Sequence, residues 1–270
     1  MQRPLEITNI YVRVLLHEDT MTHYVIDPTL ALAAERRNPD SFFQAKHHYL
    51  ERRMKAAVDP DAAIRKYRRC VVVGDPGAGK TTLLKYLALT LADSKYPDLA
   101  DLPIHVELND FVSSDDRNIL DYAARRWEQR YAFPQVEAWS YMDMMLKSDK
   151  AILLLDALDE TVVGEQPAQA DASYRKAWAA IMSLATRYPQ ACIVVTARKA
   201  GYQQHRPLDG FTVIEVMDFR REDIRQFVDN WFRFTQGITR AANPNDLITR
   251  LNQNSRIQML AANPLLSSYR

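Results

Sequence analysis

Gly74-Asp75-Pro76-Gly77-Ala78-Gly79-Lys80-Thr81-Thr82 carries the spacing G-x-x-x-x-G-K-T, and the chemistry that this spacing serves is phosphate binding. Glycines at 74, 77 and 79 let the backbone turn its N–H groups inward around a phosphate with no Cβ in the way. Lys80 would reach the β and γ phosphates of a nucleotide, and the Thr81 hydroxyl would complete the shell of a Mg²⁺ ion. The bland alternative is a glycine-rich turn. The chain holds only seven glycines, however, and three fall within positions 74–79.

Hydrolysis needs a metal anchor and a group that holds water. Asp156, Asp159 and Glu160 follow the wholly apolar run Ala151-Ile152-Leu153-Leu154-Leu155. Asp156, at the mouth of that run, is the expected carboxylate facing Mg²⁺. Asp159 and Glu160 lie one turn further on, and one of them would polarise an attacking water; Glu160 is preferred for its longer reach. Acidic loops at strand ends are common on any surface, but this one lies downstream of a phosphate loop. Arg198 ends a further apolar run, on the sheet edge where α/β proteins bind ligands. It would sense or stabilise the γ phosphate, with Thr196 bonding toward phosphate or the attacking water. An arginine at a strand end is also ordinary, and spacing alone leaves both readings open.

The elements that must position these groups follow from periodicity. Cys70-Val71-Val72-Val73 reads as a strand before the loop, and Leu83 to Leu89 as a helix after it. Further strands are expected at Leu102–Leu108, Ala151–Leu155, Ala191–Arg198 and Phe211–Val216. Helices are expected at Arg117–Tyr131, Val136–Leu146 and from about Ala172 to Arg187, with a loop over Gly164–Ala170. Beyond Arg221 an apolar stripe (Ile224, Phe227, Val228, Trp231, Phe232) continues through Ile248, Leu251, Ile257 and Leu260. Alternating strands and helices imply an α/β fold with a parallel sheet sandwiched by helices, then a small helical subdomain. The expected divisions are a lead-in at 1–69, a nucleotide-binding domain at 70–218 and the start of a helical domain at 219–270. In the lead-in, Ile7 to Leu16 reads as an extended, β-rich segment, and residues 28–69 as helix-prone but interrupted at Pro39 and Pro60.

The formal charge of +1 argues against a whole-protein pull toward nucleic acid or anionic membrane. Basic residues do cluster at Arg52, Arg53, Lys55, Arg65, Lys66, Arg68 and Arg69, but interleaved acids favour a solvated helix face. The two cysteines, Cys70 and Cys192, open apolar runs and read as buried hydrophobes, which fits a reducing, cytoplasmic setting. No apolar run approaches membrane-spanning length.

The order of these motifs resembles a NACHT domain, a branch of the STAND class of P-loop NTPases with an ASCE/AAA-like core. The resemblance is carried by Gly74–Leu84, Leu102–Leu108, Ile152–Glu160, Thr196-Ala197-Arg198 and Asn263-Pro264-Leu265-Leu266. NACHT proteins place a tiny residue directly after the metal-binding aspartate and acidic residues just beyond; Ala157, Asp159 and Glu160 match. The family's sensor arginine falls on Arg198, and its proline near the nucleotide base falls on Pro264. The resemblance implies slow hydrolysis of ATP in a switch: ADP-bound and closed at rest, ATP-bound and self-associating when active. It further implies effector and sensor domains outside this chain and a role in innate immunity or antiphage defence. The family continues past Pro264 into a winged-helix domain, so this chain is expected to be part of a longer protein. No G-specific N-K-x-D motif occurs, so ATP is favoured only by the family resemblance and that absence. Three alternatives remain: a non-hydrolysing nucleotide-binding scaffold, a small-molecule kinase and a nucleic-acid motor. The kinase would need an acceptor pocket and usually an arginine-bearing lid; Gln203–Pro207 contains Arg206, but no lid-like segment stands out. The near-neutral charge and missing helicase motifs weigh against the motor.

Overall fold

Unbroken runs of Val, Ile and Leu can be satisfied only in strands covered on both faces, and three such runs lie side by side in this molecule. The computed structural model describes residues 7–18, 57–96, 98–162, 167–234 and 243–253. In chain order the elements are α1 (Ile7–Ile10), β1 (Leu16–Glu18), β2 (Ala57–Val58), α2 (Pro60–Tyr67), β3 (Arg69–Gly74), α3 (Lys80–Ala92), β4 (Leu102–Glu107) and α4 (Leu108–Val112). There follow α5 (Ile119–Tyr131), α6 (Gln135–Lys147), β5 (Ala151–Asp156), a 3-10 helix (Leu158–Val162), α7 (Pro167–Arg187), β6 (Cys192–Arg198), α8 (Lys199–Gln204), β7 (Thr212–Val216), α9 (Arg221–Phe234) and α10 (Pro244–Gln253).

The seven strands of the described residues form one sheet in the order β2-β1-β7-β3-β6-β5-β4. From β7 to β4 the pairing is parallel, while β1 runs antiparallel to both of its neighbours. Alternate residues of the central strands feed two cores. Val71, Val73, Leu153, Leu155, Ile193 and Val195 face α5, α6 and α7. Cys70, Val72, Ile152, Leu154, Cys192 and Val194 face Leu83, Leu84, Leu87 and Leu91 of α3. Each buried Val, Ile or Leu among them contributes about 1.5–3 kcal/mol by leaving water, so the centre of the sheet is held firmly while its edge carries the chemistry.

Three expectations change. Ile7–Ile10 forms one helical turn rather than a strand, closed by the Tyr11 N–H on the Ile7 carbonyl at 2.8 Å. Its docking decides the matter: the Tyr11 ring stacks on Tyr86 of α3 at 3.9 Å, and Val12, Val14 and Leu16 are buried beyond it. Pro60 starts a helix instead of interrupting one, because at the first helical position its missing N–H has no partner to lose. Pro167 likewise opens α7, five residues ahead of the expected start. The short helices α4 and α8 follow directly on strands and leave no periodic signal of their own.

The described part of the basic cluster is tied within the protein. Arg65 pairs with Asp61 and Asp98, Arg68 with Asp149, and Arg69 donates to the Ala185 and Pro189 carbonyls. Arg52, Arg53 and Lys55 lie outside the described residues. Among the described residues no helix is long and apolar enough to cross a membrane.

Both cysteines are buried, as their runs predict. Burial pushes the Cys70 thiol well above its ordinary pKa and the Cys192 thiol up to about 12. A thiol-reactive disulfide reagent at pH 8 is therefore expected to titrate neither thiol in the native protein and both in denaturant; rapid native labelling would contradict the burial of β3 and β6.

Candidate functional site

Parallel strands present their carboxyl ends on one edge, and here β3 and β6 end two residues beyond β4 and β5. Gly74 lies opposite Arg198, and Glu107 opposite Asp156. The phosphate loop springs from this edge. Gly77 and Gly79 take φ of 80° and 87°, in the left-handed region where a Cβ is costly. The Ala78 N–H closes the turn on the Asp75 carbonyl at 3.1 Å. Gly74 is constrained by space instead: a Cβ there would come within 3.3 Å of the Cβ atoms of both Ala78 and Val216. Gly79 is the N-cap of α3, so no side chain caps the first-turn N–H groups, which with the helix dipole form an anion seat. Asp75 and Pro76 are exposed on the loop, and Thr81 and Thr82 at the start of the helix.

Lys80 folds back over the loop, its Nζ donating to the Gly74 and Asp75 carbonyls at 2.9 and 3.0 Å. Burial holds its pKa below the ordinary lysine value; Asp159 opposes that shift and Arg198 adds to it. Asp75 and Asp156 oppose it as well, so Lys80, Asp156, Asp159 and Arg198 share one electrostatic neighbourhood.

Asp156 ends β5 with only 6 % exposure. The Thr196 hydroxyl donates to its Oδ1 at 2.5 Å and accepts from the Ala157 N–H at 2.8 Å. Thr196 is wholly buried and its single donor is engaged there. It therefore acts through Asp156, and the expectation that it bonds toward phosphate or water does not fit this geometry. Ala157 sits at φ 64°, which the chain needs in order to turn from β5 into the 3-10 helix. A residue with the smallest Cβ substituent is what that strain tolerates.

The 3-10 helix separates the two remaining carboxylates. Asp159, 5 % exposed, accepts from the Arg198 backbone N–H at 2.7 Å, and its Oδ2 lies 3.2 Å from Arg198 Nε. Glu160 has a half-exposed side chain and meets Arg198 Nη2 at 3.0 Å. One guanidinium thus spans both. Gly201 completes the arrangement in a way that sequence reasoning missed: a Cβ there would stand 2.8 Å from Asp159 Cβ. An isolated glycine three residues past a strand-end arginine was the available signal.

The family model of the NACHT domain matches residues 68–234, well over half of the chain. The chain belongs to the NACHT family. No curated protein matches it in sequence. Solved structures that resemble this NACHT domain include AMPPCP-bound DnaA from Aquifex aeolicus, at 13 % identity and TM-score 0.38, covering 74 % of this chain and 56 % of that one. Domain III of the Thermotoga maritima replication initiation protein DnaA is 13 % identical, with TM-score 0.43 and coverage of 75 % and 82 %. The Aeropyrum pernix ORC2 protein in ADPNP–ADP complexes is 13 % identical, with TM-score 0.41 and coverage of 73 % and 55 %. The chain spans about half the length of the Aquifex and Aeropyrum chains.

The NACHT domain is a P-loop NTPase nucleotide-binding module, and its sheet brings Gly74–Thr82, Asp156, Asp159, Glu160, Thr196 and Arg198 to one edge. Pro264 lies outside the described residues. A separate cleft of about 650 Å³ is lined by Asp110, Ser113, Tyr122 and the ion-paired Asp116 and Arg125, and includes no residue of the phosphate loop.

Two substitutions test how tightly the site is packed. Gly201→Ala must displace Asp159 and is expected to cost about 1–3 kcal/mol in denaturant unfolding. Ala157→Val, β-branched at a left-handed position, is expected to cost about 2 kcal/mol, with Ala157→Gly within about 1 kcal/mol of wild type.

Proposed function

We propose that this NACHT domain is a slowly hydrolysing ATPase that works as a nucleotide-dependent switch. The observation that carries the reading is Arg198, whose one guanidinium is shared between Asp159 and Glu160 beside the phosphate loop. A planar fork that fits carboxylates also fits phosphate oxygens. The Arg198–Glu160 pair is exposed on both sides, 42 % and 49 %, and such pairs contribute only about 0–1 kcal/mol. A γ-phosphate, carrying more charge, would draw Arg198 away from Glu160, and the end of β6 would register which nucleotide is bound. Asp159 would stay behind as the backbone anchor of the β6–α8 corner.

The remaining roles follow from position. The N–H groups of Gly74–Thr82 would cradle the phosphates, and Lys80 would exchange two backbone carbonyls for β and γ phosphate oxygens. The residues present suit a Mg²⁺ ion. Thr81 offers an exposed hydroxyl, and Asp156 keeps Oδ2 free of hydrogen bonds among the described residues while Thr196 orients the carboxylate. When bound, the ion would neutralise charge developing on the phosphate oxygens. Glu160, once released by Arg198, would orient the attacking water. Arg206, the residue a kinase lid would need, stacks over Trp178 at 4.0 Å and pairs with Asp209, which favours the switch.

Family membership supports the finer reading. The ADP form would be closed and at rest, the ATP form would self-associate, and effector and sensor regions beyond this chain would carry an innate-immune or antiphage signal in the cytoplasm. Pro264 would pack near the base. Direct binding of nucleic acid or membrane is not part of this function.

Nucleotide released on denaturing the purified protein, separated by ion-pair chromatography, is expected to be ADP. Added Mg·ADP at 100-fold its Kd should raise the Tm by about 5–10 °C, and Lys80→Ala should abolish the rise. Glu160→Gln should keep nucleotide affinity and slow phosphate release at least ~10-fold. A Lys80→Ala protein that binds ATP as tightly as wild type would overturn the cradle assignment.

A further inference from the structure

Three carboxylates at the ends of β5 and in the turn behind it already have partners. Asp156 accepts from Thr196, Asp159 from the Arg198 backbone and Nε, and Glu160 from Arg198 Nη2. Glu107, the last residue of β4, differs. It is exposed, and among the described residues its carboxylate makes no hydrogen bond or ion pair. It occupies the N-cap position of α4, yet its side chain does not cap that helix. Glutamate is not a favoured N-cap residue in any case, so capping does not account for the residue type.

Register places this carboxylate at the catalytic edge. Glu107 is the direct partner of Asp156 in the parallel β4–β5 pair. Paired residues of adjacent strands point to the same face, with the strands about 4.8 Å apart. That face is the one covered by the phosphate-loop helix, since Ile152 and Leu154, in phase with Asp156 along β5, pack with Leu83 and Leu84 of α3. His105, in phase with Glu107, lies on the same face. Burial lowers its pKa, and Asp156 and Glu107 are the two carboxylates that oppose the shift, so both lie within electrostatic reach of one imidazole.

We infer that Glu107 is a further catalytic residue of the proposed hydrolysis, holding the attacking water from the β4 side. The inference rests on the ATPase reading above. The water oxygen forms a bond to the γ-phosphorus as the bond from that phosphorus to the β–γ bridging oxygen breaks. The electron pair of the broken bond stays with the nucleoside diphosphate, and the water proton passes to Glu107 and from it to the released phosphate. A carboxylate with no cation on it is a better acceptor for that proton than one already paired with a guanidinium. Glu160 can serve only after Arg198 has turned away; Glu107 needs no such release.

The test is steady-state phosphate release by the full chain with Mg·ATP, alongside ATP and ADP affinities and Tm, for wild type, Glu107→Gln, Glu160→Gln and the double variant. Because Glu107 is exposed and unpaired among the described residues, Glu107→Gln is expected to keep its Tm and both affinities within twofold while kcat falls ~10-fold or more. The double variant should be slower than Glu160→Gln alone. A Glu107→Gln protein turning over within twofold of wild type overturns the assignment, as does a loss of affinity at unchanged kcat, which would make Glu107 a binding group. Wild-type protein that binds ATP without hydrolysing it would overturn the ATPase reading, and the role of Glu107 with it; an effect of Glu160→Gln alone would overturn only Glu107.

Discussion

Parallel register sets β3 and β6 to end together at Gly74 and Arg198, and β4 and β5 to end together two residues earlier at Glu107 and Asp156, level with Thr196. The functional groups discussed above hang from this stepped edge. The register is protected by the cores on either side. Shifting β6 by one residue would send Ile193 and Val195 toward α3 and Cys192 and Val194 toward α7, exchanging the two sets of buried side chains. It would also carry Thr196 away from Asp156. The hydrophobic interior therefore sets the geometry of the polar edge, at a cost for any slip far larger than the hydrogen bonds at the edge could impose.

On that edge the charges form a linked set. Lys80 rests on loop carbonyls, Thr196 steadies Asp156, and Arg198 joins the two acids of the 3-10 helix. The contacts are graded. Asp159 is buried and receives a backbone N–H, a charge-assisted bond of about 1.5–3 kcal/mol. Glu160 makes an exposed pair of far smaller worth. Arg198 is thus held through its backbone and Nε by buried Asp159, while the exposed Nη2 contact to Glu160 is the one that gives way most easily.

The segment before the phosphate loop belongs to the same packing unit. β1 adds an antiparallel strand beside β7, and the Met217 N–H donates to the Leu15 carbonyl at 2.9 Å. Val12, Val14 and Leu16 share a core with α3 and with Ile224 and Val228 of α9. Helix α1 touches both α3 and α9. A displacement of α9 would therefore be felt at the N-terminal segment through direct contact.

The amino-acid sequence by itself determined the kind of chemistry and the elements that carry it. Gly74–Thr82 has a spacing that serves phosphates, and the runs at Cys70, Ala151 and Cys192 can only be doubly covered strands. Those signals are local, because side-chain type, periodicity and backbone freedom act within a few residues. What only the tertiary structure decided is who meets whom. Thr196 donates to Asp156, Gly201 is pressed against Asp159, and Glu107 is set beside Asp156, a residue 49 positions later in the chain. Ile7–Ile10 became a helical turn because Tyr11 stacks on Tyr86. None of these contacts has a period or a spacing in the chain. They arise from strand register and packing between distant segments, which depend on the whole fold closing at once.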